Sequence, residues 1–305
     1  MLDKLRIILP ENILFFNEPL KKHSTFRIGG NADVLVAPQN LLQIQLLFAY
    51  IKENSIPYTV IGNGSNLLFS DDGFRGIVVK IGSEFSGIES TLTDNGMILN
   101  VKAGTLLSRL AAFACENSLT GLEFASGIPG SVGGAILMNA GAYDGEISQV
   151  LVESTYFDIN NMSVGTKSYE MHDFSYRHSS YEDDGRIILS GRFILKNGNK
   201  DDILLKMKDL NSRRISKQPL EFPSAGSTFK RPAGLYAGKL IEDAGLKGFS
   251  IGGAQVSEKH CGFVINKGGA TCEDILTLIK NVQNIVKEKT GQFLECEVRI
   301  VPYSE

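Results

Sequence analysis

The chain has 305 residues, 43% hydrophobic and 21% charged, a balance that supports a substantial buried core and excludes a disordered protein. A formal net charge of −3 removes the basic field that nucleic-acid binding requires, and no apolar run reaches the ~20 residues needed to span a bilayer. Cys115, Cys261, Cys272 and Cys296 form no CxxC pair and stand at no ligand spacing from the four histidines, so reduced thiols are expected and a metal site is not. The N-terminus carries Asp3, Lys4 and Arg6 without a long apolar stretch after them, which leaves no secretory signal to read and makes the cytoplasm the expected location.

Residues 39–54 have the spacing of a helix, with Leu41, Ile44, Leu47, Phe48 and Ile51 on one face and Pro57 just past its end. A strand over 58–61 follows and runs into the turn Gly62-Asn63-Gly64-Ser65-Asn66. The chain then continues into Leu67-Leu68-Phe69 and a strand over 76–81, so this turn opens no helix. From Met97 the pattern predicts a strand, then a helix opened by Thr105 with Leu106, Leu110 and Phe113 or Ala114 on one side. Strand alternation covers 150–158 and 186–195, and the polar stretch 196–202 marks a boundary. Beyond it lie a helix over 202–217, ended by Pro219, and a second helix that Thr271 and Asp274 open as a capping box and Gly291 stops. A strand over 262–266, that second helix and a strand over 292–302 predict a β-α-β unit with parallel strands.

Glycine-rich turns bind diphosphates because a backbone without Cβ atoms brings several N–H donors against an anion. Gly62 to Asn66 suits that use, although a plain strand-to-strand turn explains it as well. Without a GxGxxG opening a helix, or a GK[ST] triplet, neither a Rossmann site nor a P-loop is indicated. A second segment, Ser126-Gly127-Ile128-Pro129-Gly130-Ser131-Val132-Gly133-Gly134-Ala135, leads into Asn139, Gly141 and Tyr143. Ser131 is placed to cap a short helix whose small residues would let an anion approach. Two such segments in one chain point to a dinucleotide.

The residues VIGNGSNLL at 60–68 with SGIPGSVGGAILMNAGAY at 126–143 resemble the FAD-binding domain of the vanillyl-alcohol-oxidase type flavoproteins. Within that group FSYRHS at 174–179, KQPLEFPSAGSTFKRP at 217–232, AGKLIEDAGLKG at 237–248 and the terminal ECEVRI resemble the UDP-N-acetylenolpyruvoylglucosamine reductases, from about Ser24 almost to the C-terminus. The resemblance implies an α+β fold. A two-subdomain FAD-binding fold over 1–81 and 82–198 would precede a C-terminal α+β substrate domain over 199–305. It also implies that NADPH reduces FAD, and that flavin N5 gives a hydride to C3 of an enolpyruvyl UDP-sugar while a proton goes to C2.

By motif position, Gly62, Asn63, Gly64, Ser65, Asn66, Gly127, Ile128, Pro129, Gly130, Ser131, Gly133, Gly134, Asn139 and Gly141 would hold the FAD. Ser227 would be the proton donor, Arg177 would face the substrate carboxylate, and Glu297 would be the catalytic glutamate. Period-two alternation in 294–300 puts Glu295 and Glu297 on one face, so both are open to a site, and motif position matches Glu297. Tyr176, Lys217, Lys230 and Arg231 are the expected substrate contacts, the three basic groups suiting a UDP diphosphate. The four histidines sit in no motif that demands a covalent flavin, and His178 beside Arg177 is a candidate supporting residue. Residues 235–250 are short, as in the variety of the family without an extra substrate-covering loop. The expected protein is thus a monomer that takes NADPH and a UDP-sugar and binds neither membrane nor nucleic acid. Two alternatives keep part of this reading: an FAD-dependent oxidase of alcohols or hydroxy acids, and a nucleotide-sugar binding protein without catalysis.

Overall fold

The computed structural model describes residues 4–182 and 184–301. Local sequence signals set most element ends. The helix Leu41–Asn54 begins where the Asn40 side chain accepts the Gln43 N–H at 3.0 Å, and it stops at Ser55, whose φ of 49° is left-handed. Ile44, Leu47, Phe48 and Ile51 are buried on its inner face, as the spacing predicts. Thr105 opens no helix. Its Oγ1 accepts the Gly87 N–H at 3.0 Å and donates to the Gly87 carbonyl at 3.2 Å, so the hydroxyl is already engaged. The helix instead runs Leu107–Glu116, with Leu107, Leu110, Ala111 and Ala114 inward and Leu106 exposed.

The chain divides into two compact units. The first takes in the described residues up to 15, then 35–63 and 78–214; the second takes in 16–34, 64–77 and the described residues from 215. Residues 1–81, read from the sequence as one segment, contribute to both.

In the first unit, the strands Ser163–Ser168, Leu151–Asp158, Ile187–Asn197, Gly96–Lys102 and Ile88–Thr93 lie in that order in one antiparallel sheet, with Leu119–Thr120 also pairing with Ile187–Asn197. Phe48 of the helix meets Phe157 of this sheet with ring centroids 6.0 Å apart and Tyr58 edge-on at 5.2 Å. The short helix Val132–Leu137 packs on Ile187–Asn197.

In the second unit, the helix Cys272–Thr290 lies against the antiparallel strands Ser250–Ile251, Ala254–Val256 and Val264–Asn266. Its capping box forms as the sequence predicts: Thr271 Oγ1 accepts the Asp274 N–H at 3.0 Å, and Asp274 Oδ2 accepts the Thr271 N–H at 3.0 Å. Ile275, Ile279, Val282 and Val286 are buried in one core with Ile241, Val256 and Leu294, and each such side chain contributes about 1.5–3 kcal/mol by leaving water.

The parallel β-α-β unit is not formed. Val264–Asn266 belongs to the antiparallel sheet, whereas Arg299–Val301 pairs in parallel with Leu67–Phe69. The segment between helix and last strand is held by other partners: Glu295 O accepts the Lys230 N–H, the Glu297 N–H donates to Thr228 O, and the Arg299 N–H donates to Asn66 O. Changing partner interrupts the alternation. Leu294 and Val298 are buried, but Ile300 is exposed and Val301 is the buried residue of the final pair.

Candidate active site

The two glycine segments meet within the first unit. Asn63 Nδ2 donates to the Pro129 carbonyl, and a Cβ on Gly62 would lie 2.4 Å from Ser131 Oγ, so only glycine fits there. Ser131 does not cap the helix Val132–Leu137. Its side chain makes no cap bond, is 2% exposed, and its Oγ has no hydrogen-bond partner. Nor does the start of that helix offer its first donors, because the Val132 and Gly133 N–H groups donate to the Thr105 and Ala103 carbonyls at 2.8 Å each. Two of the expected helix-terminus donors are thus engaged within the protein, and the Ser131 hydroxyl beside them has no partner. A buried, unsatisfied hydroxyl costs stability unless something else takes its proton. Neither glycine segment contains an acidic residue. An orphaned donor walled by glycines fits an anionic group such as a diphosphate.

The rest of the first glycine turn lies in the second unit. Gly64 has a φ of 68°, and a Cβ on it would strike the His23 carbonyl oxygen at 1.9 Å. The Thr25 N–H donates to the Gly64 carbonyl at 3.1 Å. Asn66 Nδ2 donates to the Glu297 carbonyl at 3.0 Å, which engages that side chain in bracing the C-terminal segment.

Asn139 is 1% exposed, and its amide is engaged inside the first unit: Oδ1 accepts the Ser148 N–H at 3.0 Å and Nδ2 donates to the Ser175 carbonyl at 3.1 Å. That second bond anchors a tight hairpin in which Ser175 and His178 exchange backbone hydrogen bonds at 3.2 Å. Tyr176 and Arg177 form its tip. Arg177 has a φ of 58°, a left-handed conformation that a long side chain adopts only when its surroundings enforce it. Its guanidinium donates to the Gly141 carbonyl at 3.1 Å and lies 5.0 Å from the Tyr176 ring centre. His178 Nδ1 lies 2.7 Å from Glu182.

In the second unit, Ser227 is exposed and follows Gly226, which has a φ of 79°. Thr228 beside it is fully buried and fixed three ways: its N–H donates to Gly262 O at 2.8 Å, its Oγ1 accepts the Val264 N–H at 2.9 Å, and its carbonyl accepts the Glu297 N–H at 2.8 Å. Phe229 and Cys296 form an antiparallel bridge, so Thr228 stands opposite Glu297 and Ser227 is one residue along. The same pairing separates the two glutamates. Glu295 is exposed and its carboxylate accepts from Lys230 Nζ at 2.6 Å, whereas Glu297 is half-buried. Arg231 lies 4.7 Å from the Tyr236 ring centre, and Lys217 is exposed at the end of the helix Lys200–Lys217.

Arg214, near the end of the helix Lys200–Lys217, comes close to the second glycine segment. Arg213 is exposed and pairs with Asp209 at 2.8 Å, but Arg214 is half-buried. A Cβ on Gly127 would lie 3.0 Å from Arg214 Cδ, and burial lowers the guanidinium's proton affinity, with Tyr143 opposing the shift. The signal was present in the helical period, since Arg214 continues the buried stripe of Ile203 and Leu210. His172, Ser154 and Tyr181 carry no motif at all, yet they form a buried hydrogen-bonded cluster.

Among the described residues no three His, Cys, Asp or Glu side chains are grouped to hold a metal ion, and no helix is long and apolar enough to cross a membrane. Residues 32–159 match the family model of the FAD binding domain, and residues 218–301 match that of the C-terminal domain of UDP-N-acetylenolpyruvoylglucosamine reductase. A protein of that name from Caldanaerobacter subterraneus subsp. tengcongensis is 50% identical over 301 residues, covering 99% of this chain and 98% of its own. Another from Agathobacter rectalis is 52% identical, covering 96% and 95%. The crystal structure of UDP-N-acetylenolpyruvylglucosamine reductase from Thermus caldophilus superposes with a TM-score of 0.78 at 35% identity, covering 95% of this chain and 98% of that one.

Proposed function

Because the chain belongs to the UDP-N-acetylenolpyruvoylglucosamine reductase family, we propose that it reduces the enolpyruvyl group of UDP-N-acetylglucosamine enolpyruvate. The product is UDP-N-acetylmuramate, a peptidoglycan precursor, and the reductant is NADPH. The site of action is the cytoplasm, where four free thiols of the kind found here persist.

Gly62, Asn63, Ser131 and Gly134 hold the FAD diphosphate, with Ser131 Oγ as donor; this rests on the orphaned hydroxyl and the closed glycine wall. Bound FAD supplies hydride transfer to the alkene carbon C3. The remaining work belongs to side chains. A proton must reach C2, and Ser227 is the donor we assign. Its exposed hydroxyl is carried on the backbone that Thr228 clamps to Gly262, Val264 and Glu297, and a donor held in fixed geometry loses little entropy when it reacts. Glu297 is assigned the supporting carboxyl by its motif position and because its N–H donates to the Thr228 carbonyl, one residue from Ser227. Arg177 holds the substrate carboxylate, where negative charge grows as C3 accepts hydride, and its planar fork suits that geometry. The enforced left-handed backbone at Arg177 supports this, since strain of that kind is retained where a side chain must be aimed. Lys217, Lys230, Arg231 and Tyr176 are assigned to the UDP-sugar.

The observation that carries the reading is the triple clamp on Thr228, which sets Ser227 one residue from the partner of Glu297. Ser227→Ala is expected to leave flavin bleaching by NADPH intact and to slow its recovery with the enolpyruvyl substrate by ~10²-fold or more. Equal loss in both half-reactions would refute the assignment of Ser227.

A further inference from the structure

The loop that bears Arg177 is closed at its base by a buried polar chain for which the proposed chemistry has no direct use. Ser154 Oγ lies 2.7 Å from His172 Nε2 and 2.7 Å from the Tyr181 hydroxyl, and His172 Nδ1 lies 2.8 Å from the Ser168 carbonyl. A carbonyl only accepts, so Nδ1 carries the ring proton and Nε2 is the acceptor. The Ser154 hydroxyl therefore donates to Nε2, and its remaining lone pair receives the Tyr181 hydroxyl. Every bond in the chain has one direction. All three side chains are at most 3% exposed, and burial holds the imidazole below its usual value, hence neutral.

This chain fixes the two residues that bracket the loop. The His172 carbonyl accepts the Ser180 N–H at 2.7 Å, closing residues 173–179, and the His172 ring stacks on Phe174 at 4.8 Å with 9° between planes. Lys167 Nζ sits 4.1 Å from the Tyr181 ring centre and donates to Ser180 Oγ at 2.7 Å. Ser179 Oγ donates to the Leu137 carbonyl at 2.8 Å. The residues with left-handed φ angles, Asp173 (48°) and Arg177 (58°), lie within the loop that these contacts close.

We propose that His172 is a positioning residue for Arg177, acting through the directional chain Tyr181, Ser154, His172 that holds the base of the Arg177 loop. The inference rests on Arg177 binding the substrate carboxylate. Tyr181→Phe removes one hydroxyl without changing the packing; Ser154→Ala breaks the chain in its middle. Each is expected to slow substrate-dependent flavin recovery about tenfold, with bleaching by NADPH unchanged. His172→Gln, whose Oε1 still accepts from Ser154, should retain more activity than His172→Leu. The deciding measurement is the same rate in an Arg177→Ala background, where Tyr181→Phe and Ser154→Ala should produce no further loss. A full additional loss in that background overturns the positioning role while leaving Arg177's own role intact. If Arg177→Ala alone leaves the rate unchanged, the carboxylate assignment fails and this inference with it. Unchanged recovery in both Tyr181→Phe and Ser154→Ala also overturns it.

Discussion

Ser131 shows how one residue separates what motif position says from what geometry says. The sequence places it as a helix cap, and the structure gives that hydroxyl no partner. An orphaned buried hydroxyl costs about 1–3 kcal/mol, and a hydrogen bond to a charged group returns about as much. Ser131→Ala should therefore leave the FAD-free protein at least as stable to heat while weakening FAD binding by ~10-fold, read by flavin fluorescence quenching; unchanged affinity would remove Ser131 from the cofactor site. Residues of this kind stand out as candidates because the glycine segments and the stretch Ser224-Ala225-Gly226-Ser227 are continuous in sequence. His172, Ser154 and Tyr181 were not, because a buried network assembled from 18 and 27 residues apart leaves no local pattern. Alternation likewise treats Glu295 and Glu297 alike; in the structure Glu295 is exposed and paired with Lys230, and Glu297 is half-buried.

At the scale of elements, the capping box and the stop of the helix Cys272–Thr290 are legible in the sequence, whereas the caps expected at Thr105 and Ser131 do not form. Asn40, the Thr271–Asp274 box and Gly291 all sit at helix ends where their chemistry satisfies free backbone groups. Thr271→Ala is expected to cost about 0.5–2 kcal/mol, seen as a lower denaturation midpoint, with little effect on turnover. A loss below a few tenths of a kcal/mol would show that the second half of the box, Asp274 on the Thr271 N–H, carries the cap by itself. What failed was pairing at long range. Nothing in residues 292–301 says that their partners are 228–230 and then 66–69, so the sequence assigns a strand after a helix to the nearest preceding strand. Thr105 failed for a related reason, its hydroxyl being taken by Gly87 across the fold.

For the whole molecule, the buried imidazoles set a direction for acid sensitivity. Burial is the main cause holding both His172 and His260 below the usual histidine value. On acidification the unfolded chain binds protons at these positions before the folded one does, so stability is complete above about pH 6.5 and falls as the pH drops through that value toward the folded ones. The denaturation midpoint should therefore decrease between about pH 7.5 and pH 5.5, and His172→Gln should decrease less. A wild-type midpoint that rises over that interval would contradict the account. Carboxylates held low by hydrogen bonds, Asp158 and Asp274 among them, act only at more acidic pH.

The central claim, that this reductase passes hydride to an enolpyruvyl UDP-sugar, meets its most direct test in a rapid-mixing experiment on the flavin-loaded protein. NADPH-reduced protein is mixed, without oxygen, with UDP-N-acetylglucosamine enolpyruvate. The account predicts that the oxidised flavin absorbance returns within the turnover time and that one UDP-N-acetylmuramate forms per flavin. Flavin that stays reduced until oxygen is admitted would contradict it.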